Sequence, residues 1–183
     1  MKKLILPLLI ASAFLSSCTK RGPQGPQGPA GQNGLDGLNA NVQAFVYEVQ
    51  PSAWIQSGNP GDIDFGFYAP ASFPELTDDI LVNGTVAGFY LLGSDEFSGQ
   101  IPMPAIFYND GYQSNYDFVL YPEEIEFWIR ESDNQTLAPA STKYYKMIVV
   151  SGKYKNMPDM ENATLEELEA HFGITEYKKV SVK

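Results

Sequence analysis

Few side chains in this sequence have the type and spacing that chemistry needs. His171 is the one histidine and Cys18 the one cysteine in 183 residues, so a zinc site or a Cys/His nucleophilic centre has almost no ligands to draw on. His171 falls in the last turn of an expected helix, where a cation interacts favourably with the helix dipole, so capping or surface packing is its expected role. Glu124 and Glu126 in "YPEEIEFWIR" project from one strand face about 7 Å apart, within the range of paired glycosidase carboxylates. Exposed strand faces are often acidic, however, and catalytic carboxylates usually come from different strands. A glycoside hydrolase is therefore a distant alternative, and no catalytic residue is assigned.

Two binding chemistries have more support. Asp62 and Asp64, Asp78 and Asp79, Asp95 and Glu96, and Asn109 and Asp110 place hard oxygen ligands in expected loops, as calcium requires. Asp62, Asp64 and Asp95 are the residues that would hold it. None fits the EF-hand spacing, and Asp and Asn are ordinary turn formers, so the expectation is no cofactor, with calcium as the alternative. Trp128 lies on a polar strand face between Glu126 and Arg130, while Trp54, Tyr112 and Tyr116 flank loops. Aromatic rings so placed stack on pyranose faces in sugar-binding β-sandwiches, which makes Trp128, Glu126 and Arg130 the candidate ligand-binding residues. An indole also packs under an arginine stem, so the same three residues suit a purely structural cluster.

Cys18 has a clearer reading. Met1-Lys2-Lys3 forms a short basic segment, Leu4 to Leu15 is apolar, and Ser16-Ser17 are small. The apolar run is shorter than the roughly 20 residues a bilayer-spanning helix needs, which favours a signal peptide over residues 1–17. Leu15-Ser16-Ser17-Cys18 resembles the lipobox of bacterial lipoproteins. That resemblance implies a diacylglycerol on the Cys18 thiol, cleavage before it, and acylation of the new amine by a chain such as palmitate. Several acyl chains anchor firmly where one binds only marginally. A single cysteine forms no disulfide within the chain, in agreement with a thiol assigned to the membrane. Thr19 is not the aspartate that holds such lipoproteins at the inner membrane, so the resemblance implies an outer-membrane location, surface or periplasmic.

After the lipidated N-terminus (18–21), glycine recurs at 22, 25, 28, 31, 34 and 37, giving GPQ, GPQ, GPA, GQN, GLD and GLN. The strict period matches collagen, in which only glycine fits at the axis of three polyproline II strands. Residues 22–40 are thus a collagen-like spacer reaching about 56 Å at roughly 3.1 Å per residue, or a short triple helix that clusters three anchors. Monomer and stalk-mediated trimer both remain open.

Residues 41–183 read as one domain. The chain is 44% hydrophobic and has 24 aromatic residues, ample for a packed core. Its formal charge of −10 makes it a poor partner for nucleic acid. Residues 41–142 carry fifteen acids and one base, Arg130, whereas residues 143–183 carry seven lysines and six acids, which leads us to expect an electrostatically two-sided domain. Short alternating runs predict strands at 42–49, 63–68, 85–92, 105–108, 116–121, 125–130 and 144–150, with "EYKKVSVK" as a final strand. Ile63, Phe65 and Phe67 should share a face, and Ile125, Phe127 and Ile129 should oppose Glu124, Glu126, Trp128 and Arg130. In "NATLEELEAHFG", Thr164 and Glu167 form a capping-box pattern, Leu165, Leu168 and Phe172 mark one helix face, and Gly173 supplies the stop. The expected fold is mainly β: an antiparallel sandwich, Ig-like or jelly-roll-like, with one short C-terminal helix, preceded by an extended collagen-like stalk.

Lipobox, Gly-x-y stalk, the strand "YYKMIVVSGK" and the late helix "LEELEAHFGI" together resemble a group of bacterial collagen-repeat lipoproteins. The resemblance implies a surface or periplasmic β domain and no named activity. The function expected is a displayed structural, adhesive or interaction lipoprotein with a protein or glycan partner; the alternative is a carbohydrate-binding module, calcium-assisted or not.

Overall fold

The computed structural model describes residues 41–93, 99–152, 158–160 and 162–183, all within one compact unit. Cys18, the leader, the glycine triplets and Asp95 lie outside the described residues. In chain order the elements are β1 (Asn41–Val49), β2 (Ile55–Ser57), β3 (Gly66–Ser72), α1 (Asp78–Asn83), β4 (Thr85–Leu92), β5 (Gly99–Pro102), β6 (Ala105–Tyr108), β7 (Gln113–Tyr121), β8 (Glu124–Glu131), β9 (Lys143–Ser151), α2 (Leu165–Phe172) and β10 (Lys178–Val182). They form two five-stranded sheets, ordered β10-β1-β9-β4-β5 and β2-β3-β8-β7-β6.

The sheets pack on a shared core because their strands alternate. Phe45, Tyr47 and Val49 of β1 and Tyr145, Met147 and Val149 of β9 meet Phe67, Ala69 and Ala71 of β3 and Ile125, Phe127 and Ile129 of β8. Phe127 stacks on Tyr145 at 4.2 Å between ring centroids and contacts Tyr47 at 5.2 Å. Gly88 permits the close approach elsewhere: a Cβ there would lie 2.6 Å from the Phe118 ring and 2.7 Å from the Met103 methyl.

The first sheet is covered on its other face too. Ala87, Phe89, Ile148 and Val150 pack against Leu165 and Leu168 of α2, with Phe172 and Ile174 beside them. This double burial explains why "YYKMIVV" in β9 is nearly continuous in apolar character. Helix α2 has the capping box expected of it, Thr164 with Glu167, and ends at Gly173 with φ of 66°.

Several expectations are corrected. The strand expected at 63–68 begins at Gly66, because Asn59 to Phe65 is taken up by turns: Asp62 N–H donates to the Asn59 carbonyl and Phe65 N–H to that of Asp62. Ile63 is consequently 93% exposed instead of sharing a face with buried Phe65 and Phe67. A second helix, α1, starts at Thr77, whose hydroxyl accepts from Ile80 N–H. The arrangement is not wholly antiparallel: β10 runs parallel to β1, from Phe45 against Lys178 to Val49 against Val182. The connection through α2 crosses the first sheet and brings the chain back along the far edge of β1.

That edge strand is fastened by Lys178, whose ammonium donates to Glu75 Oε1. Burial alone would raise the Glu75 carboxyl; the bond from Lys178, its own backbone N–H and the Lys178 charge outweigh it and hold the group below the usual carboxylate range. A depressed folded-state pKa contributes stability that is present above the unfolded value of about 4.3 and lost as pH falls through the folded one. Lys178→Met should therefore flatten the dependence of Tm on pH below about 5, and an unchanged acid slope would remove Glu75 from the account. Phe127→Ala should cost about 3–5 kcal/mol in urea unfolding, since it empties the centre of the inter-sheet core.

Candidate functional site

The outer face of the second sheet carries the residues singled out for binding. Strand register sets them in rows: Ile55 beside Tyr68 beside Trp128 beside Asp117, then Pro70, Glu126 and Val119, then Ser72, Glu124 and Tyr121. On the far side, Arg130 neighbours Asn115, which neighbours Ile106. No helix packs over this face among the described residues, in contrast to the first sheet. Four large apolar side chains stand exposed there: Ile55, Ile106, Tyr108 and Tyr121.

Trp128, Glu126 and Arg130 are brought together as one cluster. The indole Nε1–H donates to Glu126 Oε2 at 3.0 Å, and the Arg130 guanidinium carbon lies 3.9 Å from the ring centroid. Tyr68, which sequence reasoning missed, stacks on the same indole at 5.0 Å and 22°. Only strand register places Tyr68 opposite Trp128, and no local pattern announces it. Gly66 belongs to this construction as well, since a Cβ there would lie 2.8 Å from Arg130 Cγ and 2.7 Å from the Ile129 carbonyl. The cluster is internally satisfied. A sugar stacking on Trp128 would compete with Arg130 for the ring.

The remaining candidates fall elsewhere. Trp54 is buried in the core, and Tyr116 faces inward and stacks on Tyr90 at 4.3 Å, so neither is a surface platform. Tyr112 is half-buried beside the β6–β7 turn. Glu124 and Glu126 do share a strand face, but the Glu126 carboxylate is engaged by Trp128. Asp62 closes its own turn, accepting from Asn59 N–H at 3.0 Å and from the Asn59 amide at 3.2 Å. Asp79 accepts from Asn83, and Asn109 donates to Ser114. Among the described residues no three His, Cys, Asp or Glu side chains gather to hold a metal, and Asp62 and Asp64 sit in the turns that precede β3. His171 sits in the last turn of α2 with its ring edge-on to Phe172 at 4.9 Å.

Compared with protein-family models, curated proteins and solved structures, the chain matches none.

Because Arg130 covers the indole, Arg130→Ala in a Trp54→Phe background should shift Trp128 emission to the red and lower stability by about 0.5–1 kcal/mol. An unshifted spectrum would mean that the ring is already solvated.

Proposed function

We propose that the chain is a lipid-anchored display protein of the bacterial outer membrane, noncatalytic, whose β domain binds a partner through the outer face of its second sheet. Cys18 is the acylated residue and residues 22–40 hold the domain off the membrane, as an extended spacer or as the core of a trimer. The observation that carries the reading is the asymmetry of the domain: helix α2 buries the outer face of one sheet, while the other is left open among the described residues, with Ile55, Ile106, Tyr108 and Tyr121 exposed. We read the fold as jelly-roll-like rather than Ig-like, on the nested pairing of β1 with β9 and β3 with β8.

The carbohydrate-binding alternative has one observation in its favour, the adjacent rings of Tyr68 and Trp128 flanked by Glu126 and Arg130. The engagement of Trp128 by Arg130 weighs against it, so a protein partner is preferred.

Labelled palmitate should enter the wild-type protein and not Cys18→Ala, and protease added to intact cells should remove the domain if it is surface-displayed. A photo-crosslinker at Tyr108 on the open face should trap a partner protein on cells, whereas one at exposed Val82 should not. Equal trapping at both positions would sink the docking face, and binding on a glycan array that Trp128→Ala abolishes would favour the alternative.

A further inference from the structure

At one end of the sandwich, where β4 finishes and β9 begins, Tyr90, Leu91, Gly93, Ser141, Thr142, Lys143 and Tyr144 line a cleft of about 390 Å³. This volume is near the low end of the range for small-molecule sites, about 300–1,000 Å³. Lys143 lies on the inward side of β9, two residues from Tyr145, and its ammonium sits 5.9 Å from the Tyr116 ring centroid. The group is half-buried and has no carboxylate within ion-pair distance among the described residues. Desolvation alone pulls its pKa below the ordinary lysine value, the expected signature of a cation short of a counter-charge.

The surroundings of the ammonium are hydroxyl-rich. Tyr90 lines the cleft and stacks on Tyr116 at 4.3 Å behind it; Tyr145 is fully buried, and its hydroxyl has no hydrogen-bond partner among the described residues. Ser141 and Thr142 add hydroxyls at the rim, Thr142 already donating to Gln50 Oε1 at 3.1 Å. A cation beside hydroxyl groups in one cleft suits a ligand with a carboxylate on a hydroxylated frame.

We propose that this cleft binds a small hydroxylated carboxylate, the carboxylate pairing with Lys143 and the frame lying against the Ser141 and Thr142 hydroxyls at the rim. The site is separate from the open sheet face and stands or falls independently of it. Because the chain is strongly acidic, an anion is held by this one local cation against the wider field, and binding on the order of 1 mM is expected.

The test is NMR of the lysine ammonium and tyrosine ring signals in the full-length protein in detergent micelles, titrated with galacturonate, lactate and neutral galactose. Galacturonate should shift the Lys143, Tyr90 and Tyr116 signals saturably, with galactose inert. Lactate separates the sources of the carboxylate: tighter binding by galacturonate assigns the site to acidic sugars, and equal binding assigns it to hydroxy acids at large. Lys143→Met should weaken binding at least tenfold; should that variant unfold, Ser141→Ala at the exposed rim should weaken it about threefold. No shift with either carboxylate, or an equal shift with galactose, overturns the proposal. So does a Lys143 signal that moves with Asp95→Asn/Glu96→Gln and ignores added carboxylate, since the chain's own acids would then be its partner.

Discussion

The stack of Phe127 on Tyr145 ties the two sheets together, and the outward-facing chemistry follows from it. Each ring is an inward residue of the central strand of its sheet, β8 in one and β9 in the other, and each is fully buried. Strand side chains alternate with a period of two, so Phe127 inward forces Glu126 and Trp128 outward. In β9 the same rule sends Tyr145, and with it Lys143, toward the interior, while Tyr144 and Lys146 face the helix side. A slip of one residue in β8 would bury the Glu126 carboxylate, and one in β9 would turn the Lys146 ammonium into the core. Register at one aromatic contact thus determines the make-up of both the open face and the Lys143 cleft.

Coverage of the sheets separates packing from display. Helix α2 needs a partner for Leu165 and Leu168 and finds it in Ala87, Phe89, Ile148 and Val150, whose strands must then be apolar on both sides. The second sheet has no such cover among the described residues, and its strands keep a cleaner alternation. Its outer face is filled instead by side chains that satisfy one another: indole on carboxylate, guanidinium over indole, phenol on indole. Such a surface is ordered before any partner arrives, which lowers the side-chain entropy lost on binding.

How far the sequence discloses this depends on whether the signal is local. The alternation of β8 and the Thr164/Glu167 box are local, and both appear at the expected residues. Strands β2 and β5 read IQS and GQIP, short and without the apolar run that marks the equally short β6, and exist because longer neighbours offer them hydrogen bonds. Ile63 misleads because apolar alternation continues through it, although the turns from Asn59 to Phe65 have already claimed that backbone. The parallel pairing of β10 and the Tyr68–Trp128 stack are tertiary facts. Both depend on which strands become neighbours, and no window of sequence contains that information.

Charge shows the same limit. The contrast between an acidic stretch and a lysine-rich C-terminal segment suggests opposed surfaces, yet two of the lysines serve as stitches between elements. Lys146 of β9 reaches Glu169 of α2 at 3.3 Å and lies 4.4 Å from the Tyr177 ring centroid, while Tyr177 donates to the same carboxylate. Lys178 ties β10 to Glu75, on the segment that leads into α1. These two lysines have carboxylate partners, and Lys143 has none among the described residues. An ion pair with an exposed partner, such as Lys178–Glu75, contributes little, about 0–1 kcal/mol, so that stitch directs where β10 lies more than it stabilises the fold. Lys146 and Lys178 thus hold two peripheral elements to a β core, whereas Lys143, at the start of β9, has no such carboxylate among the described residues.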